Sequence, residues 1–366
     1  MHRADDVRIF GKECRSLAGA GYETYLVVAG EVDREVDSVR IRSVPLPGGG
    51  RLARISLATL RVFRAARALR AGLYHVHDPE LLPIAVLLRL GGATVVYDAH
   101  EDLPRDLESK DWIPPSLRGG LAVVVDRVEL FLARRMSAVV TATPTIRDRF
   151  ASAGCRAVAV RNYPIAGEFV RAPDADFGRD TRRDVGYVGG ISAIRGSRVM
   201  VEAAGIAGIG LSLAGRISEG ERQALGSMQN WSNVRFLGHL PRRGVAEMLG
   251  ECFAGLVVLQ PTRAYRESLP IKLFEYMAAG IPVIASDFVP WRRLVEDAGC
   301  GICVDPTDPA AVAAAIRELD ADRTRAREMG LRGRDAFRAR FNWSSEEAQL
   351  LELYRSFVGT PARTDP

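Results

Sequence analysis

The sequence predicts an α/β protein with two doubly wound, parallel-sheet domains. Three observations predict it. Short apolar runs alternate with helical patterns along the chain, turns rich in glycine and proline follow those runs, and 366 residues are enough for two hydrophobic cores. The segment 167–184 is charged, contains proline and has no apolar periodicity, so we expect it to link the domains.

Composition narrows the class of protein. A hydrophobic fraction of 47% and a charged fraction of 26% are typical of a soluble globular chain. The net charge is +5, and almost all of the positively charged residues are arginines. We infer no nucleic-acid partner from this charge. No apolar run is long enough to span a bilayer and no signal-peptide pattern opens the chain, so we expect a cytoplasmic protein.

The five cysteines are an odd number scattered along the chain, which favours free thiols in a reducing compartment. Cys300 and Cys303 form a lone CxxC pair with no second pair and no neighbouring histidine. A metal or redox role for this pair is therefore the weaker interpretation.

One segment late in the chain carries the strongest chemical pattern. A helix from about Leu269 to Ala279 is expected between two buried strands, Ala254–Leu259 and Val283–Ala285. Ser268 is the expected N-cap, Pro270 falls in the first turn, and Gly280 suits the left-handed position after the last turn.

This arrangement places free helix N–H groups at the carboxyl edge of a parallel sheet, where a diphosphate is favoured. Lys272 would neutralise the diphosphate, and Glu267 and Glu275 would flank it. Carboxylates repel phosphate but accept hydrogen bonds from vicinal hydroxyls, so a sugar nucleotide matches all three residues. From spacing alone, a surface helix with two solvated acids remains an equal alternative.

A glycine pair opens the second domain. The strand at Val185–Val188 is followed by Gly189 and Gly190, then Arg195, then a helix from about Ser197. Glycines let a backbone approach a phosphate closely, and a helix N-terminus follows. Alone, this signal is weak.

Acidic residues and histidines follow two strands of the first domain. His77 and Asp78 end the run from Leu73, while Asp98, His100, Glu101 and Asp102 end the next one. Because parallel strands end at the same edge, both clusters should lie together there.

The run from Glu267 to Ser286 resembles the donor-site signature of the retaining glycosyltransferases of family 4. The resemblance covers nearly the whole chain after residue 6. It implies the GT-B fold, in which two Rossmann-like domains face each other across a cleft. It also implies transfer of a sugar from a UDP-, GDP- or dTDP-linked donor to a hydroxyl of a saccharide, glycolipid or other small acceptor, with retention and without a metal or other cofactor. The expected setting is synthesis of cell-surface polysaccharide or glycoconjugates.

By this resemblance, Glu267 contacts the transferred sugar, Glu275 the nucleotide ribose, and His100 the transferred sugar from the opposite domain. The expected catalytic residues are His100, Glu267, Arg195 and Lys272. The expected donor-binding residues are Gly189, Gly190, Arg195, Ser268, Leu269, Lys272, Glu275 and His239. The expected acceptor-side residues are Asp98, Glu101, His77 and Asp78.

The sequence departs from the family in two places. Gly190 stands where the family usually has arginine and Arg195 where it has lysine, so one phosphate-binding cation is missing. Relatives also place a strand before the first helix, whereas here a helical pattern from about Asp6 to Leu17 follows Met1 directly. We favour a start set too late over a domain without that strand, because its neighbour would be left unpaired.

The resemblance sets the expected domain bounds. The N-terminal acceptor-side domain is 1–166, the linker 167–184, the donor-binding domain 185–342, and the segment 343–366 a closing helix that crosses back to the first domain, with a tail. Asp174 and Asp176 form a DxD pair in the polar linker, which we discount as a metal site because it does not end a strand.

An arginine stripe marks the predicted helix 51–71. Arg61, Arg64, Arg67 and Arg70 recur every third residue. A solvated face is the default interpretation. The alternative is a surface resting on anionic lipid head groups at the inner face of the cell membrane, as expected for a lipid-linked acceptor.

Three other functions stay open at this stage. A nucleotide-sugar epimerase of the same fold would act on the donor alone, but such enzymes lack the signature run. A metal-dependent hydrolase would use His75, His77 and Asp78 with His100 and Asp102 as ligands. A binding protein with an inactive site is the third, raised by Gly190 and the short start.

Overall fold

The computed structural model describes residues 4–46, 51–108, 113–169 and 183–361, with the backbone alone for 51–56. The chain divides into two compact units: Met1–Asn162 with Trp343–Pro366, and Tyr163–Asn342. Most of the expected linker, including Asp174 and Asp176, lies outside the described residues. The closing segment belongs to the first unit.

The second unit is built on one parallel sheet. Its strand order is β10-β9-β8-β11-β12-β13, so the sheet grows outward in both directions from β8 and β11. The strands are β8 (Asp184–Val188), β9 (Gly210–Ala214), β10 (Val234–Gly238), β11 (Cys252–Val257), β12 (Val283–Ser286) and β13 (Gly301–Val304). Every residue of β11 and β12 is buried, as expected for strands covered on both faces.

Helices cover both faces of this sheet and enclose two apolar clusters, one around Trp291 and Phe274, the other around Tyr187 and Met200. The helices are α7 (Ser197–Ala207), α8 (Glu219–Gly226), α9 (Arg242–Glu251), α10 (Arg263–Glu267), α11 (Ile271–Ala279), α12 (Val289–Ala298), α13 (Pro309–Ala321) and α14 (Arg323–Arg340).

The first unit holds two sheets. The order β1-β3-β2 makes one, with β1 and β3 parallel, and the order β4-β5-β6-β7 makes the other, wholly parallel. The strands are β1 (Thr24–Ala29), β2 (Arg34–Val36), β3 (Val39–Val44), β4 (Leu73–His77), β5 (Thr94–Ala99), β6 (Ala138–Thr141) and β7 (Ala157–Ala159).

A π-helical segment, Ile9–Cys14, runs directly into the first helix of this unit. The helices are α1 (Arg15–Gly19), α2 (Arg51–Ala68), α3 (Leu82–Leu90), α4 (Leu103–Glu108), α5 (Pro115–Ala133), α6 (Pro144–Ser152) and α15 (Trp343–Val358). Helix α15 packs on the N-terminal segment, where the indole N–H of Trp343 donates to Ser16 Oγ at 2.9 Å.

The expected strand, helix, strand order around Lys272 is present, but the start of its helix was predicted wrongly. Helix α11 begins at Ile271 with Pro270 in the N-cap position, and Gly280 ends it at φ 71° as expected. Ser268 is not its cap. The Ser268 hydroxyl instead donates to the Tyr265 carbonyl, because a separate short helix, α10, ends there.

The sequence-based description did not include the strand pair β2 and β3 or the helix α14. Strands β2 and β3 form a charged pair of strands after β1. Helix α14 is rich in arginine, yet it packs closely on α11 through small residues: a Cβ on Gly330 would lie 2.2 Å from the carbonyl oxygen of Gly280. The buried face of α14 consists of Ala326, Met329, Gly330, Gly333 and Phe337, and its two glycines allow the close approach.

Candidate functional site

The central feature of the second unit is the loop that follows β8. Strand β8 lies between β9 and β11, where the strand order reverses, and ligands of doubly wound sheets bind at such points beyond the carboxyl ends of the strands. Gly189 follows β8 at φ 129°, a conformation that L side chains avoid. Its N–H donates to the Ala214 carbonyl, and a Cβ on neighbouring Gly215 would collide with the Gly189 carbonyl.

Two cations converge on this loop. A Cβ on Gly189 would lie 2.6 Å from Cε of Lys272 and 2.9 Å from its Nζ, and a Cβ on Gly190 would overlap Nη1 of Arg195. Lys272 stands in the first turn of α11, and Arg195 ends a 3-10 turn just ahead of α7. The structure therefore brings together Gly189, Gly190, Arg195 and Lys272, which lie up to 83 positions apart in the chain.

The position of the 3-10 turn is fixed by close packing. Gly196 caps α7 at φ 79°, and a Cβ there would lie 2.1 Å from the Val258 carbonyl oxygen. The N–H of Gln260 donates to the Ile194 carbonyl at 3.0 Å. These contacts fix the 3-10 turn against the end of β11, so the side chain of Arg195 lies beside the glycine pair.

Lys272 is electrostatically strained without a ligand. Burial, reinforced by the nearby charge of Arg195 and opposed by Glu275, lowers its pKa to about 8. Its ammonium lies 5.3 Å from the centre of the Tyr187 ring. A bound anion would relieve both unfavourable contributions, so the site is prepared for negative charge.

Glu275 is buried on the same helix, and an arginine holds it in place. Its Oε1 accepts from Nη1 of Arg242 at 2.5 Å, while Nη2 of the same guanidinium donates to Glu168 at 2.6 Å. The Arg242 guanidinium also lies 4.6 Å from the Phe169 ring centre. The carboxylate of Glu275 is therefore fixed in orientation beside Lys272.

Tyr276 fastens α11 to the sheet beneath the loop. Its hydroxyl accepts from the N–H of Val188 at 3.2 Å and donates to the Leu256 carbonyl at 3.3 Å, so it touches the ends of both central strands. Its ring fills the space over Gly255, where a Cβ would lie 2.3 Å from Cδ2. Tyr276 therefore fixes the position of α11 relative to the strand that leads into the Gly189 loop.

The remaining predicted donor residues border this centre. Glu267 is exposed at the end of α10, and Leu269 is half-buried in the two-residue connection that follows Ser268. The indole N–H of Trp291 donates to the Ser268 carbonyl and positions that connection. His239 is exposed and directly follows β10, at the same edge of the sheet.

In the first unit, Asp98 lies at the end of β5 and is fully buried. Its two oxygens accept from Nε and Nη2 of Arg8 at 2.8 and 2.9 Å, and Nδ1 of His77 lies 3.1 Å from Oδ2. Although burial opposes it, Arg8 and His77 hold the pKa of Asp98 well below its ordinary value. Asp98 therefore orients Arg8 and His77, and its expected role on the acceptor side stays a prediction.

A buried acid neighbours the two histidines of β4. Glu13, His75 and His77 place ligand atoms within 4.8 Å of one another. Burial raises the pKa of Glu13 to about 7, and burial lowers the pKa of His75. Nδ1 of His75 is occupied by the Tyr354 hydroxyl at 2.9 Å. Within the part of the chain that the structure describes, the metal-ligand set expected of a hydrolase, with Asp78, His100 and Asp102, does not assemble.

The other predicted acceptor-side residues lie at the same edge. Nδ1 of His100 is 3.8 Å from Oδ2 of Asp98, and Glu101 beside it is exposed. Asp78 follows β4 at φ 84°, an uncommon conformation for a residue with a Cβ, so the turn after His77 is sharply defined. Among these carboxylates, Glu101 is open to solvent.

Sequence reasoning missed the residues that hold the site together. Arg242, Tyr276, Arg8 and Glu13 each act on a partner remote in the chain. One weak signal was present: Arg242 comes three residues after His239, just past the end of β10. The others gave none, because a lone arginine, tyrosine or glutamate in a helical pattern is usually a surface or packing residue.

Comparison with known proteins decides the family. The model for glycosyl transferases group 1 matches residues 179–336, and the model for the glycosyl transferase 4-like domain matches residues 7–165. The chain belongs to glycosyltransferase family 4. The match 7–165 lies within the expected N-terminal domain, whereas the match 179–336 begins in the expected linker and covers most of the expected donor-binding domain.

The individual relatives of this chain include glycosyltransferases that transfer mannose, according to their names. A phosphatidyl-myo-inositol mannosyltransferase of Mycobacterium leprae is 26% identical over 97% of this chain and 91% of that relative. A GDP-mannose-dependent alpha-(1-6)-phosphatidylinositol monomannoside mannosyltransferase of Mycobacterium tuberculosis is 37% identical over 24% of this chain and 23% of that relative.

Solved structures confirm the GT-B fold. A sucrose-phosphate synthase of Thermosynechococcus elongatus has a TM-score of 0.76 at 20% identity, covering 96% of this chain and 92% of that one. Anabaena HepE in complex with UDP-glucose has a TM-score of 0.67 at 15% identity, covering 91% and 99%. The glycosyltransferase therefore has parallel-sheet Rossmann-like domains, as predicted.

The arginine stripe of α2 lies on the surface of the glycosyltransferase. Arg61, Arg64 and Arg67 of α2 are exposed, and so is Arg70, two residues past the end of the helix. None of the described helices combines the length and the apolar character that crossing a bilayer requires.

Proposed function

We propose that this glycosyltransferase moves a sugar, with retention of anomeric configuration, from a nucleoside-diphosphate sugar to an acceptor hydroxyl without a metal ion. One observation carries the proposal: Lys272 and Arg195 converge on the Gly189–Gly190 loop at the switch point of the second sheet. Two cations, a glycine loop and the start of α11 are the groups that a diphosphate requires.

The same groups account for the chemistry of the leaving group. As the bond to the sugar breaks, negative charge grows on the departing diphosphate, and fixed donors aimed at that charge lower the barrier. Lys272 and Arg195 supply two positive charges at this place, which supports a reaction that needs no divalent cation. The departing phosphate itself is the proposed acceptor of the proton from the attacking hydroxyl.

The space beside Gly190 in the proposed phosphate site is occupied by the side chain of Arg195. The Arg195 guanidinium lies against Gly190, in space that a side chain at 190 would fill. We therefore propose that Arg195 takes over the charge that relatives place on residue 190. The count of cations is lower by one, but their position beside the glycine loop is kept.

The two glutamates are assigned different ligand groups. Glu275 is buried beside Lys272 and fixed by Arg242, which suits a carboxylate that accepts from the ribose hydroxyls. Glu267 is exposed at the end of α10, one short connection ahead of α11, and is proposed to position the transferred sugar. His239 is proposed to lie near the base, and Ser268 and Leu269 beside the diphosphate.

We propose a lipid-linked acceptor. The names of the mycobacterial relatives place phosphatidyl-myo-inositol among the acceptors of such enzymes. The exposed arginines of α2 supply a basic surface, which anionic head groups attract by about 1 kcal/mol per residue. Glu101 and Asp78 are the carboxylates proposed to meet the acceptor.

A thermal-shift titration with free GDP, UDP and dTDP tests the donor site, because a ligand stabilises the native state in proportion to its affinity. We expect one of the three to raise Tm clearly more than the others. Glu275→Ala should reduce that shift, whereas Glu267→Ala should keep the shift and abolish sugar transfer. No shift with any nucleotide, or full turnover in the Glu267 variant, would contradict the proposal.

A further inference from the structure

Helix α5 presents a straight row of apolar side chains to solvent. The members of this row, the α5 ridge, are Leu117, Leu121, Val124, Val128 and Phe131, and each is 38–60% exposed. Their spacing alternates between four and three residues, which places all five on one narrow side of the helix. Single exposed apolar residues are ordinary on a protein surface, whereas an unbroken row of them indicates an interaction site.

The opposite side of α5 packs on the first unit. Ala122, Glu129 and Ala133 are buried on that side, and Nη2 of Arg149 lies 2.7 Å from Oε2 of Glu129. These contacts hold α5 on its own domain. The fold of the first unit therefore does not require the ridge.

The ridge has the geometry of a seam between two helices. Apolar residues that alternate at spacings of three and four repeat every 3.5 residues on average, which is the pattern by which paired helices interlock. A helix that lies on a membrane usually has a broader apolar face, with its charged residues on the opposite side. On α5, Arg127 is exposed at the edge of the ridge itself. The ridge therefore suits a second helix better than a lipid surface.

Gly120 borders the ridge between Leu117 and Val124. Among the described residues, a Cβ on Gly120 would meet nothing within 4 Å beyond the backbone of its own helix, so packing within the chain gives no reason for a glycine there. Glycine is unfavourable inside a helix, but it permits another backbone or side chain to approach closely. In an antiparallel pair of α5 helices, Phe131 of each copy can lie opposite Gly120 of the other. The largest apolar residue and the smallest residue of the helix then match twice.

The exposed apolar area is sufficient for a stable dimer. Helix α3 packs beside α5, and Nε of Arg89 donates to the Arg135 carbonyl at 3.0 Å, two residues past the end of α5. Leu87 and Leu90 of α3 are exposed as well. With the ridge, they offer on the order of 800 Å² on one copy, which is about the share of one subunit in a standard interface.

We propose that the α5 ridge is the interface of a homodimer, in which the α5 helices of two copies pack antiparallel about a two-fold axis near the middle of the helix. A two-fold interface uses the same patch on both copies, so a self-complementary ridge is enough to form it. Arg127 stands beside the middle of the ridge in each copy, and the two charges repel each other across the axis. Because salt screens that repulsion, salt should strengthen the dimer, whereas it weakens the attraction of arginines to an anionic membrane.

Sedimentation velocity of the full chain at increasing protein concentration tests the proposal. We expect a dimer whose fraction rises with concentration and with salt. Val124→Asp should weaken self-association about 100-fold, because it places two carboxylates near the axis. Val123→Asp is the matched control: Val123 is 50% exposed and Val124 is 58% exposed, but Val123 lies about 100° around the helix from the ridge. A monomer at every concentration, or equal weakening in both variants, would overturn the proposal.

Disulfide trapping tests the antiparallel orientation. Leu121→Cys and Phe131→Cys proteins should form a disulfide with each other when mixed and oxidised, and neither should do so with itself, because only unlike positions come within reach in an antiparallel pair. The unmodified chain, whose five cysteines are free, gives the background. Trapping of each variant with itself would indicate a parallel pair and contradict the proposal.

Vesicles of phosphatidylglycerol test the rival occupant. We expect Val124→Asp and Val123→Asp to bind them equally, since the ridge faces a second copy. A monomeric chain that binds these vesicles through the ridge, so that Val124→Asp alone abolishes binding, would assign the ridge to a membrane and refute the dimer.

Discussion

Nucleotide binding should depend on pH through Lys272. Its pKa of about 8 means that the ammonium, the form that binds phosphate, is lost from the free protein as pH rises above that value. A bound diphosphate restores the charge, so binding takes up a proton. The apparent Kd should rise about tenfold between pH 7 and pH 9, whereas a lysine with an ordinary pKa would give almost no change.

Isothermal titration calorimetry with the preferred nucleoside diphosphate measures this directly. Repeating the titration in buffers of different ionisation enthalpy gives the number of protons taken up. Lys272→Arg is the matched control, because its guanidinium stays charged throughout, and its Kd should be nearly independent of pH. A flat profile in the wild-type protein, or the same rise in the Lys272→Arg variant, would refute the assignment of Lys272 to the phosphate.

Three further outcomes are expected. Gly190→Ala should weaken nucleotide binding roughly tenfold in calorimetry, because the new methyl displaces the Arg195 guanidinium from a charge-assisted contact; unchanged affinity would count against that contact. Arg242→Met should raise the donor KM more than it lowers kcat, since it frees Glu275 to move, whereas Glu168→Gln should change neither constant much. Equal changes of KM in the two variants would contradict the role of Arg242 in orienting Glu275. Sugar transfer should continue in EDTA, and activity that is lost and then restored by a divalent ion would disprove the metal-free mechanism.

The sequence predicted those parts of the fold that depend on local patterns. Gly280 after α11 and Gly189 after β8 are recognisable because only certain residues tolerate those backbone conformations. The centre of α11 was placed correctly, but its first turn was not, since the short helix ending at Glu267 uses residues expected to cap the next one.

What the sequence could not predict are contacts between distant positions. Arg8 and Asp98 are 90 residues apart, and Arg242 and Glu275 are 33 apart, so no local period links them. Helix α14 was missed for a related reason. Its buried face, Ala326, Met329, Gly330, Gly333 and Phe337, has helical spacing, but two of these residues are glycines, whose role depends on a close contact with a distant part of the chain.

The anchoring of Tyr276 has a consequence for how donor preference can change. Since the Tyr276 hydroxyl is hydrogen-bonded to both middle strands, α11 is held in a fixed position beside the glycine turn before any donor binds. Variation that exchanges one base or sugar for another should therefore accumulate in the looser rim around His239 and Glu267. Substitutions inside α11 would lower the affinity for every donor to a similar extent.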